Sequence, residues 1–270
     1  MITVNERPVA AGVGRTIGQL ARDIKADANI FIVNGYPVGP DTVVKEGDAC
    51  WLIRRGEVPD PCEMNHLLYA RHTPGVQERI RTASVGIMGL GGLGSVVAVA
   101  LARIGVGRLI LADYDVVEPS NLNRQQYFID QVGMAKTEAL RSNLARINPY
   151  IAVETRNVEL DGDLIVATFS GVDALAECFD SARMKAVALR TVLTRMAGTA
   201  YVGASGLAGF GDNNSIRTTR LYPRVYLVGD GESAAAPGMG LMAPRVGIAA
   251  QHQANQILRL LLGREEDQHG

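Results

Sequence analysis

Gly89-Leu90-Gly91-Gly92-Leu93-Gly94 lies between Val85-Gly86-Ile87-Met88, which reads as a buried strand, and Val96 to Ile104, an almost wholly apolar helix. Glycines at this density do not belong inside a strand or a helix. Between one of each they make a tight turn whose backbone can approach a phosphate, with the unpaired N–H groups and partial positive charge of a helix N-terminus facing it. Gly105 and Gly107 stop the helix, and Leu109-Ile110-Leu111-Ala112 supplies a second strand ending at Asp113, 19 residues after Gly94. This βαβ unit places the chain in the α/β class, with a Rossmann-like doubly wound sheet. A purely structural turn is the alternative, which the strand–turn–helix context disfavours. The motif says "nucleotide" without naming the nucleotide or the reaction.

Asp113 at a strand end can accept hydrogen bonds from ribose hydroxyls. NAD-dependent dehydrogenases share that feature, so it does not discriminate. The polar run Asp113-Tyr114-Asp115-Val116-Val117-Glu118-Pro119-Ser120-Asn121-Leu122-Asn123-Arg124-Gln125 does, together with Lys136 twelve residues after Arg124. Hydride transfer has no need of extra cations at the reacting end of its cofactor. Cleavage of a triphosphate does, because charge develops on the departing pyrophosphate and Arg and Lys stabilise it.

With 27 Lys+Arg against 28 Asp+Glu and 47% hydrophobic residues, the chain of 270 residues is neither disordered nor a broadly basic nucleic-acid binder. Cys50, Cys62 and Cys178 are too few and too scattered for a disulfide framework or a paired CxxC zinc site, which fits a reducing cytoplasm. No apolar run is long enough to span a membrane, and MITVNERPV lacks the apolar core of a signal peptide, so neither a membrane span nor export is expected. His66, His72, His252 and His269 do not share metal-ligand spacing, and His252 reads as a helix-face residue.

The spacing of elements divides the chain into residues 1–56, a linker with lead-in helices over 57–82, and a nucleotide-binding domain over 83–270. In the first, Ile2 to Asn5 and Val9 onward read as strands, with Glu6-Arg7-Pro8 turning between them. Thr16-Ile17-Gly18-Gln19 is a capping box before a short helix. Ile30 to Val33 and Cys50 to Ile53 read as further strands, and Asn34-Gly35 as a turn. In the linker, helices are expected from Glu63 to a stop at Thr73-Pro74-Gly75, and over Val76 to Arg81. Further on, helices are expected over Lys136–Ile147, Ser181–Met196 and Val246–Leu262, and strands over Ala152–Val158, Tyr201–Gly203 and Val225–Val228. Leu164 to Val166 and Val172 to Phe179 compete for one strand. Residues 229 to 243 form a Gly/Ala/Ser-rich loop, either a closing flap or a passive crossover, and Arg264 to Gly270 a fraying tail.

The stretch 84 to 137 resembles the ThiF/MoeB/HesA family, the adenylating enzymes related to ubiquitin-activating enzyme. The residues that carry the likeness are Gly89 to Gly94, Asp113 to Asp115, Ser120-Asn121-Leu122-Asn123-Arg124-Gln125 and Gly133-Met134-Ala135-Lys136. It extends through Asn213 to Ile216, Gly229-Asp230-Gly231 and Gly238 to Val246, which look like the short, zinc-free branch of ThiF. The order of elements in residues 1–56 resembles the β-grasp, ubiquitin-like fold of ThiS-type sulfur carriers.

The resemblance implies that ATP binds at Gly89, Gly91, Gly92 and Gly94, with Asp113 on the ribose and Asp115 beside it. Asn121, Arg124 and Gln125 would contact the phosphates or the metal-bound assembly, and Lys136 a phosphate. An Asp beyond the third strand would hold Mg²⁺. Asp180 is that residue, which makes 172–179 the strand; Asp173 is the rival, and a helix N-cap is the structural alternative for Asp180. Arg71, in Tyr69-Ala70-Arg71-His72, is the candidate for an arginine supplied by a partner subunit, with Arg79 and Arg81 as alternatives.

The activity implied is adenylation of the C-terminal glycine carboxylate of a ThiS-like sulfur carrier, in thiamine (thiazole) biosynthesis, by a homodimer that uses a separate sulfur-donor protein and no zinc. A molybdopterin-type carrier adenylyltransferase, a tRNA-base dehydratase, an NAD-dependent oxidoreductase and a non-catalytic ubiquitin-like binding module are the alternatives. Cys178 reads as a small buried hydrophobe rather than a nucleophile. Arg55-Gly56-Glu57 offers no free Gly-Gly end, so a docking, regulatory or vestigial role suits residues 1–56 better than a substrate role.

Overall fold

The computed structural model describes residues 1–5, 7–72 and 75–264. The side chains of Cys62 and His66, the stop expected at Thr73-Pro74, and the tail after Arg264 with His269 lie outside the described residues. The chain forms two compact units, Met1–Glu78 and Arg79–Gly270.

The first unit contains β1 (Ile2–Val4), β2 (Arg7–Val9), α1 (Ile17–Ile24), β3 (Ile30–Val33), β4 (Tyr36–Val38), β5 (Ala49–Ile53) and α2 (Pro61–Arg71). Helix α1 starts where the capping box predicts. Thr16 Oγ1 accepts from the Gln19 N–H at 3.2 Å, and Gln19 Oε1 accepts from the Thr16 N–H at 2.9 Å. The buried face of α1, Ile17, Leu20 and Ala21, packs on Ile2, Val4, Cys50 and Leu52. The sheet order is β2-β1-β5-β3-β4, with β1 and β5 parallel and the other pairs antiparallel. One helix grasped by a mixed sheet is the expected β-grasp pattern.

Two local expectations need correction. Arg7 and Pro8 lie in β2 rather than in the turn, and Tyr36-Pro37-Val38 is a strand. Pro37 hides the latter from sequence reading, yet it is allowed there because β4 is an edge strand. Beyond β5 the chain folds back on its own unit. Arg55 N–H donates to Asn29 Oδ1 at 2.8 Å, and Glu57 pairs with Lys25 at 2.9 Å.

Helix α3 (Val76–Thr82) straddles the division between the units. The second unit continues with β6 (Ser84–Met88), α4 (Gly92–Arg103), β7 (Arg108–Asp113), α5 (Lys136–Ile147) and β8 (Ala152–Asn157). It is completed by α6 (Gly162–Phe169), β9 (Ala174–Glu177), α7 (Ala182–Arg195), β10 (Ala200–Ala204), β11 (Arg217–Tyr222), β12 (Val225–Gly229) and α8 (Ala243–Leu261). The sheet order is β11-β12-β10-β9-β6-β7-β8, parallel throughout except for β11 against β12.

Strands β6, β9 and β10 are buried along their whole length, as expected of strands covered on both faces. Leu164 to Val166 belong to α6, which settles the competition with 172–179 in favour of the latter as strand. Strand β11 was not foreseen: nearly every position is exposed, so it carries no alternation to read. The chain runs outward from β6 to β7 and β8, then returns through α6 to β9 on the other side of β6. The crevice outside the carboxyl ends of β6 and β9 is therefore the topological switch point where open α/β sheets bind ligands.

Candidate functional site

The turn after β6 fills that crevice. Gly89 has φ +85°, a conformation that favours glycine, and a Cβ on Gly94 would stand 1.9 Å from the Gly89 carbonyl oxygen. Helix α4 can therefore begin directly above the strand only with glycine at both positions. Leu90 is clamped at both ends of its peptide units. Its N–H donates to Asp113 Oδ2 at 2.6 Å, and its carbonyl accepts from the Tyr127 hydroxyl at 2.8 Å. Ser95 Oγ donates to the Gly91 carbonyl at 2.7 Å and accepts the Gln126 N–H at 3.1 Å, which ties the first turn of α4 to the polar loop.

That loop closes over the glycines. Arg124 lies with its stem against Gly92: a Cβ there would be 3.3 Å from Arg124 Cγ and 2.9 Å from Val246 Cγ1. The Arg124 guanidinium donates to Ser120 O at 3.2 Å and to Asn123 Oδ1 at 2.8 Å, and no ion pair to a carboxylate forms among the described residues. The Gln125 amide nitrogen stands 3.7 Å from where a Cβ on Gly91 would be. Gln125 is buried, and its Oε1 has no hydrogen-bond partner among the described residues. Leaving that acceptor bare costs about 1–3 kcal/mol, and the amide nitrogen beside Gly91 is the end that can donate to an anionic ligand. Asn121 is buried and shapes the loop: its Oδ1 accepts the Glu118 N–H at 3.1 Å.

Lys136 is buried at the start of α5, with Nζ 2.8 Å from Asp115 Oδ2. Asp115 N–H in turn donates to Asp113 Oδ1 at 2.8 Å. Lys136, Asp115, Asp113 and Leu90 thus form one chain leading into the glycine turn. Each Asp113 oxygen takes one N–H and keeps a lone pair, so it can still accept from a hydroxyl.

Asp180 follows β9 on the other side of the turn. It is exposed and takes no hydrogen bond or ion pair among the described residues. It is not the helix cap: Ser181 caps α7, its Oγ accepting the Met184 N–H at 3.4 Å. Asp180 shares a field with other acids. Asp115 first, then Glu159, slight burial, Asp113 and Asp180 together hold the exposed Tyr114 phenol above its ordinary range.

Among the described residues no group of three His, Cys, Asp or Glu stands ready for a metal. Magnesium does not require one, because it is held by one or two carboxylates together with substrate phosphates. Asp180, uncommitted and beside the cradle, fits that role. The rival Asp173 stands at the opposite end of the sheet, where its Oδ2 accepts the Ser84 N–H at 2.8 Å. Two open clefts of about 390 and 400 Å³ lie at that end, both lined by Asp173, away from the glycine turn. Arg79, one of the alternatives to Arg71, also lines the first, held by the Leu262 carbonyl at 2.6 Å.

A comparison with family models matches residues 65–270 to the ThiF family and residues 1–56 to a ThiS-like ubiquitin. The chain belongs to the ThiF family. The molybdopterin-synthase adenylyltransferase of Salmonella typhimurium is 33% identical over 191 residues, 68% of this chain and 75% of that protein. Ubiquitin-like modifier-activating enzyme 5 of Arabidopsis thaliana is 43% identical over 120 residues, 38% of this chain and 28% of that protein. Among solved structures, E. coli tRNA N6-threonylcarbamoyladenosine dehydratase in complex with AMP superposes with a TM-score of 0.68 at 22% identity, covering 77% of this chain and 98% of that one. At that identity the likeness shows the fold alone.

Within this ThiF-family fold the structure brings the glycine turn, Asp113, Asp115, Asn121, Arg124, Gln125 and Lys136 together beyond the carboxyl ends of β6 and β7, with Asp180 beyond the carboxyl end of the neighbouring β9. Arg71 lies in the other compact unit, exposed at the end of α2. Cys178 is buried, and desolvation pushes its thiol well above the usual range, so it is a hydrophobe rather than a thiolate. His252 lies on a helix face as expected, its Nδ1 3.1 Å from Thr218 Oγ1.

The loop 229–243 is organised around Arg245. The guanidinium bonds Asp230 Oδ2 at 2.6 Å, Ser215 Oγ at 3.0 Å, and the carbonyls of Gly211 and Asp212 at 3.1 and 3.0 Å. Burial works to raise the Asp230 pKa. The N–H groups of Ser233 and Glu232, the Ser233 side chain and Arg245 outweigh it and hold the carboxyl far below the usual range. Asn123 Nδ2 donates to the Leu241 carbonyl at 3.0 Å, fastening this loop to the one that carries Arg124. The Arg245 hub joins three stretches that carry the resemblance, 213–216, 229–231 and 238–246, whereas the roles of Ser95, Tyr127 and Glu177 have no signal in the sequence. Each acts through distant chain segments, which no local motif records.

Proposed function

We propose that the chain adenylates the C-terminal glycine carboxylate of a ThiS-like sulfur-carrier protein, in thiazole formation for thiamine. Molybdopterin-synthase adenylyltransferases align over two thirds of this chain, and that kinship makes it a nucleotidyltransferase. The observation that carries the reading is the stem of Arg124 laid against Gly92, with its guanidinium paired to no carboxylate among the described residues. A hydride-transfer site would leave that arrangement idle.

The backbone of Gly89 to Gly94 and the N-terminus of α4 receive the phosphates of ATP, and Asp113 receives the ribose. A carboxylate oxygen of the carrier attacks the α-phosphorus. The bond from that phosphorus to the bridging oxygen breaks, pyrophosphate leaves, and an acyl-adenylate remains on the carrier. Arg124 and Lys136 neutralise the charge that grows on the leaving group, and Gln125 donates its amide to a phosphate oxygen. Lys136 reaches the phosphates by exchanging one partner, Asp115, for another. Asp180 would hold magnesium, which supplies charge neutralisation on the triphosphate.

The working form is a homodimer in which Arg71 of a second copy completes the site, and sulfur comes from a separate donor protein. Residues 1–56 serve docking or regulation. Their chain end is folded back through Asn29 and Lys25 and continues into α2, so it presents no free carboxylate.

ATP–pyrophosphate exchange across a panel of carriers ending in Gly-Gly tests the reading. Exchange is expected with a ThiS-like carrier. Exchange only with a molybdopterin-type carrier would move the substrate to the class that the curated relatives name. Asp180→Asn is expected to bind ATP without exchange, and full exchange in that variant would remove Asp180 from the metal.

A further inference from the structure

One buried acid beside the site has no part in the chemistry above. Glu177 ends β9 and is 1% exposed. Its Oε1 accepts the Phe179 N–H at 2.8 Å and Lys185 Nζ at 2.9 Å, and its Oε2 accepts the Tyr201 hydroxyl at 3.2 Å. Lys185 Nζ also donates to the Ala204 carbonyl at 2.8 Å. Gln253 of α8 donates to the carbonyls of Glu177 and Val202, each at 3.0 Å. Lys185 of α7 and Tyr201 of β10 therefore meet at the Glu177 carboxylate, while α8 holds the backbone carbonyl of the same residue. Gly203 leaves the room: a Cβ there would stand 3.0 Å from Glu177 Oε2 and 2.9 Å from the Tyr201 ring.

A buried ion pair is a poor way to stabilise a sheet, because desolvation offsets most of its attraction and apolar side chains would pack as well. What this one does is local. It pins the peptide N–H of Phe179, the residue just before Asp180. The same segment touches the glycine turn from the other side, where the Cys178 carbonyl oxygen is 3.0 Å from the position a Cβ on Gly89 would take. Cys178 to Asp180 are thus held between the Glu177 carboxylate and the turn, while the Asp180 side chain itself takes no hydrogen bond among the described residues.

We propose that Glu177 is a positioning residue. With Lys185 and Tyr201 it fixes the Cys178–Asp180 segment against the Gly89 turn, so that Asp180 presents its carboxylate to the divalent cation of the bound nucleotide. The inference rests on the assignment of Asp180 in the proposed adenylation. Carboxylates that ligate metals depend on such outer partners, and loss of one weakens metal binding about tenfold to a hundredfold.

The test is Mn²⁺ titration followed by electron paramagnetic resonance, on the full chain with a non-hydrolysable ATP analogue, beside the Mg²⁺ dependence of pyrophosphate exchange and the melting temperature. Glu177→Met fills the space without acceptors. It is expected to weaken Mn²⁺ about tenfold or more and to raise the Mg²⁺ requirement in parallel, with metal-free nucleotide binding unchanged. Glu177→Gln keeps an amide oxygen for the Phe179 N–H and Lys185, and is expected to restore most of the metal affinity. The double variant Glu177→Met with Lys185→Met removes the buried charges together, folds without an unpaired lysine, and is expected to show the same weakening. Unchanged Mn²⁺ affinity in the variants, with only a lower melting temperature, would overturn the positioning role. Wild-type protein that neither binds Mn²⁺ with nucleotide nor catalyses exchange, or Asp180→Asn protein that binds Mn²⁺ normally, would instead defeat the functional reading.

Discussion

The turn after β6 and the loop that closes over it meet at one crevice and are built in opposite ways. In the turn, the N–H and carbonyl of Leu90 and the carbonyl of Gly91 are committed, to Asp113, Tyr127 and Ser95. In the loop and beyond β9, side chains keep capacity at their tips among the described residues: the Gln125 amide beside Gly91, the Arg124 guanidinium with no carboxylate partner, and the Asp180 carboxylate. The contrast separates two requirements. A cradle must not reorganise when charge develops, whereas the groups that meet the charge must have capacity to spare.

Changes at the open tips should cost catalysis, and changes at committed groups should cost stability. Arg124→Ala is expected to lower the exchange rate about a thousandfold while leaving the melting temperature nearly unchanged. A matching fall in stability, seen by thermal denaturation, would show that Arg124 is structural. Arg245→Met sets the opposite expectation. It strands Asp230 inside the loop hub and should cost about 3 kcal/mol of unfolding free energy in denaturant titration.

The same hub predicts an acid limb. The Asp230 pKa is depressed in the folded chain, so the stability it contributes is full above the ordinary carboxylate range and is lost as pH falls through the depressed value. Asp230→Asn is therefore expected to be less stable than wild type at neutral pH, with the gap closing as unfolding is measured below about pH 4. Equal stability at neutral pH would contradict the hub. The smallest expected effect sharpens the contrast most. Gln125→Leu removes an unsatisfied buried amide and should raise stability by about 1 kcal/mol, while weakening ATP binding in calorimetry.

The cradle was legible in the sequence because its causes are local. Glycine at four fixed positions, an apolar strand before and an apolar helix after are features of one short stretch. Chain order alone puts Asp173 before and Asp180 after a strand over 172–179, and the parallel pairing of β9 with β6 sets the carboxyl end beside the glycine turn and Asp173 at the other. Tyr127, Ser95 and Glu177 were illegible because their partners, Leu90, Gln126 and Tyr201, are 37, 31 and 24 residues away. Strands β4 and β11 escaped because one carries a proline and the other is exposed nearly throughout, so neither shows the alternation that marks a half-buried strand.

The central claim is that charge leaving the α-phosphorus is received at the turn by Arg124 and Lys136. The most direct measurement is mass spectrometry of a ThiS-like carrier ending in Gly-Gly, incubated with the full chain, ATP and Mg²⁺, alongside a pyrophosphate assay. The account predicts a carrier heavier by one adenylyl group and an equal amount of pyrophosphate. An unmodified carrier with ADP and inorganic phosphate as the products would contradict it.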